Sequence, residues 1–157
     1  MIIPIVNEQD EIIGYKDRKN RNIDDIVRAT CLWVSDKNDN ILLAQRAFSK
    51  EHDPGLWGPS AGGTVEEGET YELNILKEAE EEIGLIGFDF IKGPKIRVPW
   101  GFVCIFNIVV NNDFDFIKQN NEVEQIKWFS KEELYFLLKE KPEIFIKNFK
   151  LMYESKY

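Results

Sequence analysis

Three glutamates, Glu78, Glu81 and Glu82, stand at i, i+3 and i+4 in Tyr71–Ile83, a segment of good helix formers without proline. On a helix of 3.6 residues per turn this spacing makes their carboxylates neighbours. Like charges so placed cost about 0.2–0.5 kcal/mol per pair even in solvent, so folding alone gains nothing from them. A hard divalent cation such as Mg²⁺ reverses the sign, because it seeks oxygen ligands and keeps positions open for water and phosphate. A solvated acidic face is the other reading of the same helix. On the helical wheel Leu73, Leu76, Ala79 and Ile83 form the side expected to face a sheet, with the glutamates opposite. Thr70 suits the N-cap, and Gly84 suits a left-handed end.

The loop ahead of this helix reads Gly62-Gly63-Thr64-Val65-Glu66-Glu67-Gly68-Glu69. Its glycines let backbone carbonyls approach a metal or phosphate and let the chain turn sharply into the helix. Gly63, five residues, Glu69, seven residues and then Lys77-Glu78-Ala79-Glu80-Glu81-Glu82-Ile83-Gly84-Leu85 together resemble the Nudix box. That pattern is Gly, five residues, Glu, seven residues, Arg-Glu-aliphatic-x-Glu-Glu-x-Gly-aliphatic. The spacing holds across 63–85, with every glycine and glutamate present. Lys77 stands in place of the arginine and Ala79 in place of a larger aliphatic. Lysine keeps the charge but lacks the planar, bidentate fork.

The resemblance implies an α/β fold: a Nudix-type α/β/α sandwich with a mixed β-sheet and the loop-helix of the box, as one domain over 1–157. It implies a hydrolase that cleaves a diphosphate linkage in a nucleoside diphosphate derivative or nucleoside triphosphate. Mg²⁺ or Mn²⁺ would be held by Glu78, Glu81, Glu82 and a backbone carbonyl of Gly62 or Gly63. Lys77 would pair with Glu69 and orient the metal-binding glutamates. The general base would be a box glutamate or a later one; Glu122 and Glu124 are candidates, with a solvated strand end as the plainer reading of each. Outside the box, Leu42-Leu43-Ala44-Gln45-Arg46, Lys50, Pro54-Gly55-Leu56-Trp57 and Ser60-Ala61-Gly62-Gly63 resemble the Nudix branch that includes isopentenyl-diphosphate isomerase. This makes Arg46 and Lys50 candidate phosphate contacts, with plain surface charge as the other reading of each. That isomerase needs a cysteine before the box and histidines around its metal, whereas Gly58–Gly63 has no cysteine and the sole histidine is His52. Hydrolysis is therefore preferred. A non-catalytic ligand-sensing module is the remaining alternative, although such modules often lose box glutamates and all are kept here.

These residues need a scaffold. Ile2–Val6 and Glu11–Tyr15 read as a hairpin around Asn7–Asp10, and Arg28–Ser35 and Ile41–Arg46 as another around residues 36–40. Further strands are expected in part of Ser60–Val65, in Trp100–Val110 and in Glu124–Phe129. Ser130-Lys131-Glu132-Glu133 is a capping box opening a helix over Lys131–Lys139. Pro142 can start a terminal amphipathic helix carrying Ile144, Phe145, Phe149 and Met152.

Composition bounds the rest. The 157 residues suffice for one core, and no apolar run approaches the roughly 20 residues of a membrane span. A formal charge of −8 disfavours nucleic acid and anionic membrane as partners, but not a phosphorylated small molecule bridged by a cation. The first residues read as structure, not a signal peptide, so a cytoplasmic location is expected. Cys31 and Cys104, both in apolar runs, are expected buried and reduced; with one histidine, structural zinc is not. A nucleotide is the default substrate, and a homodimer stays open. Trp33, Trp57, Trp100 and Phe102 could stack a base but read more plainly as core. Lys16–Arg21 is a basic patch that reads as a solvated turn before it reads as a phosphate funnel.

Overall fold

The computed structural model describes residues 1–156. Strands β3 (Val27–Ser35) and β4 (Ile41–Arg46) form the expected hairpin, yet pair only at Val34–Leu42 and Ser35–Ile41. The turn between them is closed by the Asp36 carboxylate, which accepts from the N–H groups of Asn38 (2.8 Å) and Asn40 (2.9 Å). Beyond it the strands part, and residues 57–64 fill the wedge. On one side β5 (Trp57–Gly58) pairs with β4; on the other Ala61 and Thr64 bridge β3 at Leu32 and Ala29. Ser60, fully buried, holds the apex: its hydroxyl donates to the Leu42 carbonyl at 2.6 Å and accepts from the Val34 N–H at 2.8 Å. The strand expected within Ser60–Val65 is therefore a pair of single bridges, because the segment must cross from one parted strand to the other.

The sheet extends from β3 to β7 (Gly101–Val109), parallel to it, and then to β6 (Ile91–Val98), while β8 (Val123–Phe129) pairs antiparallel with β4. The result is a mixed six-stranded sheet. Side chains alternate across it. Leu32, Val34, Cys104 and Phe106 pack against Ile75, Ala79 and Ile83 of α1 (Tyr71–Ile83). Cys31, Trp33 and Leu43 pack on the other face against Leu134 of α2 (Lys131–Glu140) and Phe149 and Met152 of α3 (Phe149–Glu154). This is the expected α/β/α sandwich. The hairpin of β1 (Ile2–Val6) and β2 (Ile12–Asp17) adds a two-stranded sheet that buries Ile3 and Ile5 against Val27 and Trp100.

Leu73 and Leu76 do not face the sheet; they are 56% and 46% exposed, and the buried stripe is Asn74, Ile75, Ala79 and Ile83. Glu78 and Glu82 border that stripe instead of opposing it. The terminal helix expected from Pro142 is broken. After a 3-10 turn at Pro142–Ile144, Phe145 is extended to bridge Trp57, and Asn148 turns left-handed (φ 65°) before α3 begins. Strand β6 was not anticipated, since it is largely exposed and interrupted by a bulge between Lys92 and Lys95. Cys31 and Cys104 are buried and free, and Trp33 and Phe102 lie in the core. No helix among the described residues is long and apolar enough to cross a membrane.

Candidate active site

Helix α1 starts and stops where its caps dictate. The Thr70 hydroxyl accepts from the Leu73 N–H at 3.1 Å, and Gly84 ends the helix at φ 68°. This fixes Glu78 and Glu82, one turn apart, beneath the loop that carries Gly62 and Gly63. At Gly63 a Cβ would run into the Glu78 carboxyl, and at Gly62 into the Thr30 carbonyl. Both glycines are needed for close approach, one to a side chain and one to backbone. The Gly63 carbonyl accepts from the Thr30 N–H at 2.9 Å. Burial pushes Glu78 up to about 7, aided by the charges of Glu81 and Glu69 and opposed by Lys77. Burial and the adjacent Glu78 charge raise Glu82 well above the ordinary carboxylate range, partly offset by the Gly62 N–H. The two carboxyls are neighbours, and each acts on the other's titration.

A pair of adjacent, half-buried carboxyls whose ionisation burial opposes is the donor set a hard cation relieves, so these residues fit Mg²⁺ or Mn²⁺. Glu81 is exposed and stands outside the pair. Among the described residues no three carboxylate, imidazole or thiol groups converge into a ready cage.

Behind the pair lies a support that the sequence reading only half found. Lys77 reaches Glu69 at 2.5 Å and Glu66 at 2.7 Å, so one ammonium clamps two of the loop's carboxylates. These hydrogen bonds outweigh burial, which alone would depress Lys77, and they raise it; Glu69 is lowered correspondingly against its own burial. Asn74 was missed. Its amide donates to the Glu69 carboxylate at 2.9 Å and the Thr64 carbonyl at 3.1 Å, and reaches Glu78 at 3.5 Å. Its oxygen accepts from the Thr30 hydroxyl at 2.5 Å. The available signal was its place four residues before Glu78, a polar residue on the face that must be buried.

A cleft of about 510 Å³ gathers Gly62, Gly63, Glu78, Glu81, Glu82, Arg46, Lys50 and Glu122. Glu69 and Lys77 lie outside its lining, and Glu124 is an exposed strand residue. Lys50 and Glu122, expected to act separately, pair with each other at 2.5 Å. The Arg46 Nε donates to the His52 carbonyl at 2.9 Å, which pins the loop between β4 and β5. The basic patch is the exposed turn expected, at Arg18–Asn20, but Arg18 and half-buried Arg21 also line this cleft. Half-buried Trp100 lines it too, so this tryptophan is not wholly core.

A mixed sheet between helices, with a glycine loop running into a glutamate-bearing helix at the mouth of a cleft, defines a Nudix-type fold. A family model described as NUDIX domain matches residues 25–149. An uncharacterized Nudix hydrolase of Yersinia pestis is 32% identical over 140 residues, covering 84% of this chain and 74% of that protein. The isopentenyl-diphosphate Delta-isomerase of Photobacterium profundum is 25% identical over 159 residues, covering 91% of this chain and 87% of that protein. The crystal structure of DR0079 from Deinococcus radiodurans superposes with a TM-score of 0.88 at 22% identity, covering 100% of both chains. The chain belongs to the NUDIX domain family and is an enzyme, a Nudix hydrolase.

Proposed function

We propose that this Nudix hydrolase is a Mg²⁺- or Mn²⁺-dependent pyrophosphohydrolase that cleaves the diphosphate linkage of a nucleoside diphosphate derivative or nucleoside triphosphate. Residues 1–157 would work as one unit on this small-molecule substrate. The observation that carries the reading is the Glu78–Glu82 carboxyl pair, packed under Gly62 and Gly63 at the cleft. A divalent ion held there would neutralise charge developing on the phosphate oxygens and lower the pKa of a bound water. Glu78 and Glu82 would supply its protein oxygens with the Gly62 carbonyl. The Gly63 carbonyl is already engaged by Thr30, and Glu81 would join from the rim. Arg46 stands on the same wall as a donor for a phosphate oxygen. Glu122, held by the Lys50 ammonium, would be the acceptor in the cleft for a proton leaving water. Glu69, Lys77 and Asn74 do not line the cleft; they hold Glu78 in place.

Isomerisation is disfavoured because the loop before the box offers Ser60, whose hydroxyl is buried and committed to Leu42 and Val34. The test is a panel of nucleoside diphosphate derivatives and triphosphates assayed with Mg²⁺ or Mn²⁺, beside Glu81→Gln and Glu82→Gln. Turnover should fall roughly 100-fold or more in Glu82→Gln, with less loss in Glu81→Gln and no loss of folding in either. If both variants turn over at the parent rate, the metal site is wrong.

A further inference from the structure

The cleft has a second charged end. Arg18 and Arg21 come from the connection between β2 and β3, and neither forms a salt bridge among the described residues. Asp25, the acid whose charge acts on Arg21, has its carboxylate taken by the Lys16 ammonium at 2.7 Å and the Asn22 N–H at 2.7 Å. Arg21 donates instead to two carbonyls, Trp100 at 3.2 Å and Asp25 at 3.4 Å, and its Nε–H is buried with no partner. An unpaired buried donor and two adjacent cations both cost stability, in a protein rich enough in acid to have neutralised them. The floor beside them is apolar or small: Val27, Ala29, Cys31, Ala44 and Val103.

The distance between the two ends follows from β3. Val27 N–H bonds the Trp100 carbonyl at the arginine end, and Thr30 N–H bonds the Gly63 carbonyl at the carboxylate end. Three residues of strand make roughly 10 Å. That is longer than the span between the two phosphorus atoms of one diphosphate, so a diphosphate at Glu78 and Glu82 does not itself reach the arginines. The group attached to it does.

We propose that Arg18, Arg21 and Trp100 form a second anion subsite, so that the preferred substrate is a diphosphate whose attached group carries a phosphate monoester of its own. This rests on the hydrolase reading above. The guanidinium, oriented by two carbonyls, presents spare donors in a geometry that matches phosphate oxygens. Arg21 is thus a specificity-determining residue, and Trp100, whose carbonyl it holds, lines the same end of the cleft.

The experiment uses pairs of diphosphates that differ by one remote phosphate: NADPH against NADH, and coenzyme A against dephospho-coenzyme A. The expected result is a kcat/KM ratio of about 10 or more in favour of the phosphorylated member, carried by KM. Arg21→Gln should bring that ratio to near one, and Arg21→Lys should keep part of it. Equal kcat/KM for both members in the parent overturns the proposal. So does an Arg21→Gln variant that lowers both members in proportion, which is what a post merely holding the 18–25 loop to Trp100 would do. If no member of either pair is hydrolysed, the nucleotide panel above decides the hydrolase reading separately. Equilibrium dialysis then decides the subsite: tighter binding of NADPH than NADH, lost in Arg21→Gln, supports it, and equal binding overturns it.

Discussion

Asn74 occupies the turn of α1 before Glu78, 0% exposed, and its amide is shared among Thr30, Thr64 and Glu69. Removing it takes away the partner of the buried Thr30 hydroxyl and one donor each from the Thr64 carbonyl and the Glu69 carboxylate, so Asn74→Ala should cost about 1–3 kcal/mol in urea unfolding. Turnover should fall as well, since Glu78 loses its support. Lys77 gives a second expectation. Lys77→Met leaves Glu66 and Glu69 without their shared counter-charge, and activity in a Mg²⁺ titration should fall about 10- to 100-fold. Lys77→Arg, which restores the family's fork, should keep or raise it. Neither support was fully legible beforehand. The Lys77–Glu69 pair could be inferred from the box, but the partners of Asn74 include Thr30, 44 residues away. Lys50 and Glu122 meet across 72 residues. Local pattern carries no information about such pairings, because parted strands and a crossing loop create them.

At the level of elements, the two glycines before α1 do different work. Gly63→Ala puts a methyl against the Glu78 carboxyl, a flexible side chain that can move aside, so the fold should survive while activity drops sharply. Gly62→Ala puts a methyl against the Thr30 carbonyl, which is fixed in β3 and cannot yield. That variant should unfold several degrees earlier in thermal melts, and Gly63→Ala should not. The elements themselves were largely readable where a local cap or turn sets them. Thr70 and Gly84 bound α1, Ser130 starts α2, and Asp36 closes the β3–β4 turn. The wheel misjudged α1 because it ranked leucines by hydrophobicity, whereas Asn74, Glu78 and Glu82 take the inner positions for the site. The break at Phe145–Asn148 was invisible for another reason: Phe145 leaves the helix to meet Trp57, a contact made only in the folded chain.

For the molecule as a whole, the acidic balance and the site together set how stability responds to pH. Asp10 ties the β1–β2 hairpin to the body, with Arg28 at 2.7 Å, Lys95 at 2.5 Å and the Tyr71 hydroxyl at 3.0 Å. These partners outweigh its burial and hold its carboxyl below the ordinary 3.8. Its contribution is therefore present above 3.8 and is lost as pH falls through the lowered folded value. Glu78 and Glu82 act in the opposite sense. Their folded values are raised, so their contribution is complete below the ordinary 4.5 and is lost as pH rises through those raised values, about 7 for Glu78. Metal-free protein should thus be most stable in mildly acidic solution and decline toward alkaline pH. General repulsion from a net charge of −8 adds to that decline, so the decisive quantity is a difference. In thermal melts with EDTA, the parent should lose more Tm between about pH 5 and pH 8 than Glu82→Gln does. Adding Mg²⁺ should raise the parent's Tm more at the higher pH, because deprotonated carboxyls bind the ion and binding to the native state stabilises it. Glu82→Gln should show little of that gain. A parent whose Tm responds to Mg²⁺ equally at both pH values, or no more than the variant does, would mean that the raised carboxyl pair is not where the ion binds.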